Sequence, residues 1–345
     1  MAARLRRHRA GTVPPWERTD EYAALCHARL AHVVPVREPL VLVSQIQRSG
    51  GTLLSQLIDG HPECHAHPSE IYIGHPKKWN WPDLDLADPA GWFARLYERP
   101  VELHLREGYV KEKESRSEPG REVYPFLFLP GLQRRIFEAC VEESGARTER
   151  AVLDCYFTSY FNAWLDNQNL YGGPKRVVTG FTPRLATEAG NVERFFAAYP
   201  DGTLVSVVRD PRAWYASAST YRSGLYEDVD EAVGAWTAST EAALDARSRF
   251  GDRVLVLTYE QLVQETEPTM RRVAGRIGVA MSPVLLAPTF NGRAVRANSS
   301  GRAAGDGVVA GRATAFRDVL DEATCARIDE LAGGLYARAA DVAAG

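Results

Sequence analysis

A parallel α/β fold is what this sequence predicts, and three patterns predict it. Short apolar, β-branched runs recur along the chain: Pro39–Ile46 (PLVLVSQI), Arg176–Phe181 (RVVTGF), Thr203–Val208 (TLVSVV) and Arg253–Thr258 (RVLVLT). Runs of this kind, too short and too uniformly apolar for surface strands, read as strands buried on both faces. Helical patterns separate them, and strands alternating with helices imply a parallel sheet with crossover helices on its faces. Turn chemistry at two strand ends, Gln47–Gly51 and Asp210-Pro211, marks the third pattern. The 345 residues, 45% hydrophobic and 25% charged, are ample for a sizeable globular core.

In order, residues 1–38 are polar and Arg-rich, broken by Pro14, Pro15 and Pro35, and read as a loose arm with one helix around Tyr22–His32. The first strand stops at Gln47-Arg48-Ser49-Gly50-Gly51, and a helix with Leu53, Leu54, Leu57 and Ile58 apolar runs from Thr52 to Asp59. Gly60-His61-Pro62 ends it. Residues 71–150 interrupt the alternation. Trp79, Trp81 and Trp92 lie among prolines and Lys111–Glu122 reads as an exposed loop, so this insertion is expected to be helical and loop-like and to cover the open edge of the site. Val152–Gln168 carries aromatics at helical spacing. Further helices are expected over Leu185–Tyr199, Pro211 to about Arg222, Val229–Phe250, Tyr259–Ile277 and Glu322–Arg338, with 283–311 as loop. The organisation expected is an arm, 1–38, and one α/β domain, 39–345, with the insertion 71–150.

With 41 Lys and Arg against 44 Asp and Glu, the net charge of −3 argues against a general nucleic-acid binder. Five cysteines (Cys26, Cys64, Cys140, Cys155, Cys325) are widely spaced with no CxxC pair, and are expected reduced and mostly buried. The basic start MAARLRRHRA is followed by no apolar segment of a secretory signal, and no run approaches a membrane span. A cytoplasmic location is the expectation. Oligomeric state is not legible, since no coiled-coil heptad is seen.

Ligands of open α/β sheets bind at the carboxyl ends of strands. The first such end, Ile46-Gln47-Arg48-Ser49-Gly50-Gly51-Thr52-Leu53, turns through two glycines into a helix. Glycines admit an anion close to the backbone, and a helix N-terminus offers free N–H groups and a positive dipole end. Arg48 and the hydroxyls of Ser49 and Thr52 add donors. A Walker A loop would need a longer Gly-bounded loop ending in Gly-Lys-Ser/Thr, which is missing. The second end, Arg209-Asp210-Pro211, leads into a helix on which Ser217 stands eight residues after Arg209, about two turns on. An arginine at a strand tip and a serine on the adjoining helix can grip one phosphate.

These two segments, in this order, resemble the sulfotransferases that use 3′-phosphoadenosine 5′-phosphosulfate (PAPS). QRSGGTLL looks like the family's loop for the 5′-phosphosulfate, RDPRAWYAS like its 3′-phosphate segment, and Leu257-Thr258-Tyr259-Glu260-Gln261-Leu262 is similar to its strand-end element whose tyrosine lies near the adenine. The resemblance spans residues 40 to 262, with a fainter tail match to about 320 that suggests Ser300 and Arg312 as 3′-phosphate contacts. It implies a P-loop-like sheet, PAPS as co-substrate, no required metal, and a small-molecule, carbohydrate or peptide hydroxyl as acceptor. Where many members have two threonines after the first glycine, this chain has Gly51 then Thr52. Arg48 replaces the lysine of the cytosolic aryl branch and suggests the tyrosylprotein and carbohydrate-like branches. An arginine does not act as a proton donor, so Arg48 is assigned charge stabilisation.

Transfer to an alcohol needs a general base. The tyrosylprotein branch has His-Pro after its loop helix and a catalytic glutamate at nearly this distance, which points to Glu70, 22 residues after Arg48. His65, His75 or His104 could serve instead, and no motif selects among them. His61, His65 and His67 crowd one short loop, but without a spaced carboxylate or Cys partner a metal site is not expected. Arg184, after a strand in Thr182-Pro183-Arg184, could face the site, a surface ion pair being the plainer expectation. The Trp and Tyr residues of 71–170 could line an acceptor pocket or fill the core. An atypical small-molecule phosphotransferase and a non-catalytic nucleotide-binding protein stand as alternatives.

Overall fold

The computed structural model describes residues 18–98, 126–221, 226–295 and 307–345. Five strands form one parallel sheet: β1 (Leu40–Ser44), β2 (Cys64–Glu70), β3 (Val177–Phe181), β4 (Thr203–Val208) and β5 (Val254–Thr258), in the order β2-β3-β1-β4-β5. Neighbours that are not consecutive in sequence require crossovers, and helices supply them. Residues of β1 alternate between two cores. Leu40 and Leu42 pack with Phe157, Phe161 and Phe195 on one face. Val41 and Val43 pack with Leu53, Leu54 and Val273 on the other. The three inner strands are buried along their whole length, as uniformly apolar runs require.

The helices are α1 (Asp20–Leu30), α2 (Gly51–Asp59), α3 (Trp92–Leu96), α4 (Pro130–Ser144), α5 (Glu149–Ala163), α6 (Ala189–Ala198), α7 (Pro211–Tyr221), α8 (Val229–Phe250), α9 (Tyr259–Gln264), α10 (Thr266–Ile277) and α11 (Glu322–Ala344). A two-stranded hairpin, β6 (Thr289–Phe290) and β7 (Arg293–Ala294), lies within the expected 283–311 loop. The helix of the N-terminal arm is capped by Thr19, whose hydroxyl accepts from the Tyr22 N–H, and it buries Tyr22 and Cys26 against the main core. The expected 259–277 helix is two: Glu265 leaves helical geometry (φ −128°, ψ 50°) between α9 and α10. The expected 152–168 helix stops at Ala163, because Trp164 turns extended and bridges Phe128.

Two expectations fail. Residues 64–70, read as a histidine-rich loop, are the edge strand β2, pairing with β3 through Cys64↔Val177 to Glu70↔Phe181. Its sequence, CHAHPSE, lacks β-branched residues and contains Pro68. An edge strand tolerates the missing N–H, and the register shifts between Ala66 and Glu70 around that proline. The cysteines are also not all reduced. Cys140 of α4 and Cys155 of α5 form a disulfide, their Cα atoms 5.5 Å apart, because the left-handed Gly145 (φ 57°) folds one helix back on the other. Cys26 and Cys64 are free and buried, and Cys325 is free and half-buried. No helix among the described residues is long and apolar enough to cross a membrane.

The disulfide closes a loop of 15 residues, which by chain entropy contributes about 3 kcal/mol. The purified protein is expected to show three titratable thiols when denatured without reductant, and Cys140→Ser or reduction to lower its melting temperature. Five thiols without reductant would contradict the pairing.

Candidate active site

Because the sheet is parallel, the ends of β1, β4 and β5 open on one rim, and β3 and β2 extend that rim to the other side. The chain leaves β1 through two left-handed residues, Arg48 (φ 70°) and Gly50 (φ 100°), and enters α2 at Gly51. No side chain caps α2 at Gly50. The N–H groups of its first turn lack intrahelical partners and carry the positive dipole end, which is the makeup of an anion site. Gly50 is required by its positive φ and by the Tyr259 ring, and Gly51 leaves space that the end of the Gln45 side chain occupies. A Cβ on Gly50 would lie 2.5 Å from Cδ2 of Tyr259, and one on Gly51 would lie 1.7 Å from Nε2 of Gln45. Ser49 is buried, its hydroxyl without a hydrogen-bond partner among the described residues. Thr52 is half-buried at the loop's mouth, and Leu53 anchors the helix in the core.

The second and third segments meet this loop directly. Nε of Arg48 donates to Oγ of Ser217 on α7 at 3.1 Å. Arg209, at the end of β4, donates from its guanidinium to the carbonyl of Arg48 at 2.9 Å and lies over the Tyr259 ring, 4.3 Å from its centroid. Tyr259, at the end of β5, is the ring packed against Gly50. Arg48, Ser49, Gly50, Gly51, Thr52, Leu53, Arg209, Ser217 and Tyr259 therefore form one continuous surface across three strand ends.

A buried network holds Arg209 in place. Nε1 of Trp236 donates to its carbonyl at 2.9 Å. The next residue, Asp210, binds Arg212 at 2.6 Å, and Arg212 reaches Asp329 of α11 at 3.1 Å. Glu260 accepts from the Asp210 N–H at 3.3 Å and from the Tyr336 hydroxyl at 2.9 Å. Burial pushes the Glu260 carboxyl up, while these hydrogen bonds oppose the shift.

On the opposite flank, Glu70 ends β2 and pairs with Lys78 at 3.1 Å, both side chains partly open to solvent. Such an exposed pair is weak and easily exchanged for another partner. Lys78 also lies over the Tyr72 ring, which meets Trp79 edge-on. His75 lies within electrostatic reach of Glu70, Lys78 and Arg184, and burial pushes it down to about 4. His65 and His67 are pushed down by burial to about 3 and about 4, and proton acceptors so weak are poor general bases near neutral pH. His65 lies farther from the rim, in a small cavity with Asp59 and Asn291. The three crowded histidines do not converge: His61 bonds the Ala280 carbonyl, His67 the Ser69 carbonyl, and His65 packs on Phe161. His104 and Ser300 lie outside the described residues, and Arg312 falls in a short 3-10 turn, Ala310–Ala313. Of the aromatic residues offered as an acceptor wall, Trp81, Trp92, Tyr156, Tyr160 and Trp164 are core, and Tyr72 and Trp79 are half-buried beside Glu70. Glu98 is buried near Tyr72 and Tyr160, and burial pushes its carboxyl up to about 8.

Sequence reasoning missed two contributors, Gln45 and Gln47, and favoured an ion pair for a third, Arg184. Gln45 fills the space under Gly51. Gln47 accepts from Nε1 of Trp214 through its carbonyl and from Nε of Arg184 through its side chain. Arg184, expected in an ion pair, has no carboxylate partner among the described residues. A glutamine at the end of a buried strand was the available signal for the first two.

Residues 39–283 match the profile of the Sulfotransferase family, which is well over half of the chain. The chain belongs to the sulfotransferase family. No curated protein matches it. Among solved structures, it is similar to the sulfotransferase domain from the curacin biosynthetic pathway, at 17% identity and a TM-score of 0.44, over 86% of this chain and 98% of that one. The sulfotransferase domain of the Synechococcus PCC 7002 olefin synthase gives 17% and 0.44 over 86% and 95%. A sulfotransferase from Mycobacterium avium gives 16% and 0.37 over 77% and 69%. As a sulfotransferase, this enzyme moves a sulfuryl group, and the rim just described is its candidate site.

The steric fit beneath the loop yields a test. In this sulfotransferase Gly51→Ala is expected to destabilise the fold by about 1–3 kcal/mol through overpacking, and Gln45→Ala in the same chain to restore most of the loss. Melting temperatures of the two single variants and the double variant check this. Additive losses would show that the Gln45 contact is not the constraint.

Proposed function

We propose that this sulfotransferase takes its sulfuryl group from PAPS, passes it to a hydroxyl of a small molecule, carbohydrate or peptide, and releases adenosine 3′,5′-bisphosphate (PAP). The observation that carries the reading is the contact of Arg48 with Ser217 and of Arg209 with both Arg48 and Tyr259. One anion site at a helix N-terminus and one at a strand tip, side by side with an aromatic ring beneath, suit a nucleotide with phosphates at both its 5′ and 3′ positions. Two features suit that ligand: the loop is uncapped, and a buried Ser49 hydroxyl has no protein partner among the described residues.

In this reading the N–H groups of Ser49–Leu53 hold the 5′-phosphate, with Thr52 adding its hydroxyl. Arg48 neutralises charge on the leaving oxygen, a form of electrostatic stabilisation that acts most strongly in the transition state. Arg209 and Ser217 bind the 3′-phosphate, and Tyr259 supports the adenine. Ser300 and Arg312 are assigned as further contacts of the 3′-phosphate. Glu70 is the general base: it stands on the same rim, two strands from the loop, and release from Lys78 frees its carboxylate for the acceptor proton.

Two variants in one experiment test the assignment. By calorimetry, Arg209→Ala is expected to weaken PAP binding by 10-fold or more, as about 1.5–3 kcal/mol for a charge-assisted hydrogen bond implies. Glu70→Gln is expected to keep PAP affinity while losing turnover with labelled PAPS and any acceptor found by screening. Unchanged PAP affinity in the first, or wild-type turnover in the second, contradicts the residue concerned.

A further inference from the structure

Arg184 follows β3, the strand that lies between the loop strand β1 and the Glu70 strand β2. It is left-handed, with φ 63° and ψ 12°. A non-glycine residue held there by its surroundings is the kind of strain that accumulates at working sites. Three contacts hold it. Its N–H donates to the Gln45 carbonyl at 3.0 Å, its Nε to Oε1 of Gln47 at 2.9 Å, and a terminal nitrogen to the Tyr226 hydroxyl at 3.0 Å.

Both side-chain partners are neutral. Arg150, Arg194, Arg212 and Arg327 each meet at least one carboxylate. Arg184 meets none among the described residues. A guanidinium has five N–H donors, and these contacts use two. What is left is a half-buried cation with donors to spare and no counter-ion among the described residues, an arrangement completed by an incoming anion.

Its place says which anion. Arg184 is tied to Gln45 and Gln47, the residues that lead β1 into Arg48, so it is fixed to the loop itself. It also lies near the other flank, within electrostatic reach of His75, as Glu70 and Lys78 do. We propose that Arg184 is a further substrate-contacting residue, whose free N–H groups hold oxygens of the sulfuryl group on the side that faces the acceptor. This inference rests on the PAPS reading above. During transfer the acceptor oxygen forms its bond to sulfur as the bond from sulfur to the 5′-phosphate oxygen breaks. The electron pair of the broken bond stays on that phosphate oxygen, the acceptor proton passes to Glu70, and Arg184 keeps the sulfuryl oxygens aligned between the two.

The test compares two ligands that differ by the sulfuryl group alone and needs no acceptor. PAPS and PAP are titrated calorimetrically into wild-type protein, Arg184→Asn and Arg184→Lys. Asparagine is chosen because it tolerates the left-handed backbone, and thermal melts of each variant establish that it folds. The expected result is a loss of about tenfold in PAPS affinity for Arg184→Asn, with PAP affinity within about twofold of wild type. Arg184→Lys should fall between, keeping the charge without the planar fork. Unchanged affinity for both ligands overturns the proposal and moves Arg184 to an anionic group of the acceptor. Equal losses for PAPS and PAP also overturn it, making Arg184 a support of the loop. If wild-type protein binds neither ligand, the nucleotide reading fails instead, which the same titrations reveal separately.

Discussion

Close packing beneath the phosphate loop is the constraint on which the site depends. The chain must pass from a fully buried strand to the open end of a helix within a few residues, and it does so over two side chains, Gln45 and Tyr259, that fill the volume where Cβ atoms would stand on Gly51 and Gly50. Those two side chains belong to different strand ends. The loop is therefore built against β5 as well as β1, and the ring that supports it also lies under Arg209 from β4. One steric requirement thus couples three elements far apart in sequence into a single surface.

Electrostatics gives that surface its sign. The chain as a whole is slightly acidic, with a net charge of −3, yet its rim gathers Arg48, Arg184 and Arg209. The neighbouring Arg212 is neutralised by Asp210 and Asp329 and serves as a strut between α7 and α11. Local enrichment of one charge in a cleft raises the concentration of oppositely charged ligands there without altering the overall balance. A polyanionic nucleotide is the kind of ligand such a rim collects. Glu70 stands apart from this cluster with its own lysine, so the proposed base and the proposed anionic donor lie on separate strands.

Much of this was legible in the residues. The buried runs gave four of the five sheet strands, Thr203–Val208 to the residue, and amphipathic periodicity gave the long helix from about Val229 to Phe250, because both patterns carry a strong local signal. The loop, Arg209, Ser217 and Tyr259 were legible as separate motifs, and their meeting follows from parallel strands ending on one rim. Strand β2 was not legible, because histidines and Pro68 carry no strand signal and only edge pairing makes them one. The Cys140–Cys155 bond was hidden since nothing in their spacing announces that α4 folds back on α5. Arg184 was misread because a guanidinium's partners are set by the fold, and the acidic residues expected beside it are elsewhere.

The rim is proposed to bind a nucleotide carrying both 5′ and 3′ phosphates. Thermal stabilisation by PAP, compared with AMP and ATP, each with and without magnesium, tests it most directly. Ligand that binds only the folded state raises the melting temperature, and more so the tighter it binds at a given concentration. The expected result is a shift with PAP that does not depend on magnesium and exceeds that of either nucleotide lacking the 3′-phosphate. A shift confined to ATP with magnesium, or none with PAP, would contradict it.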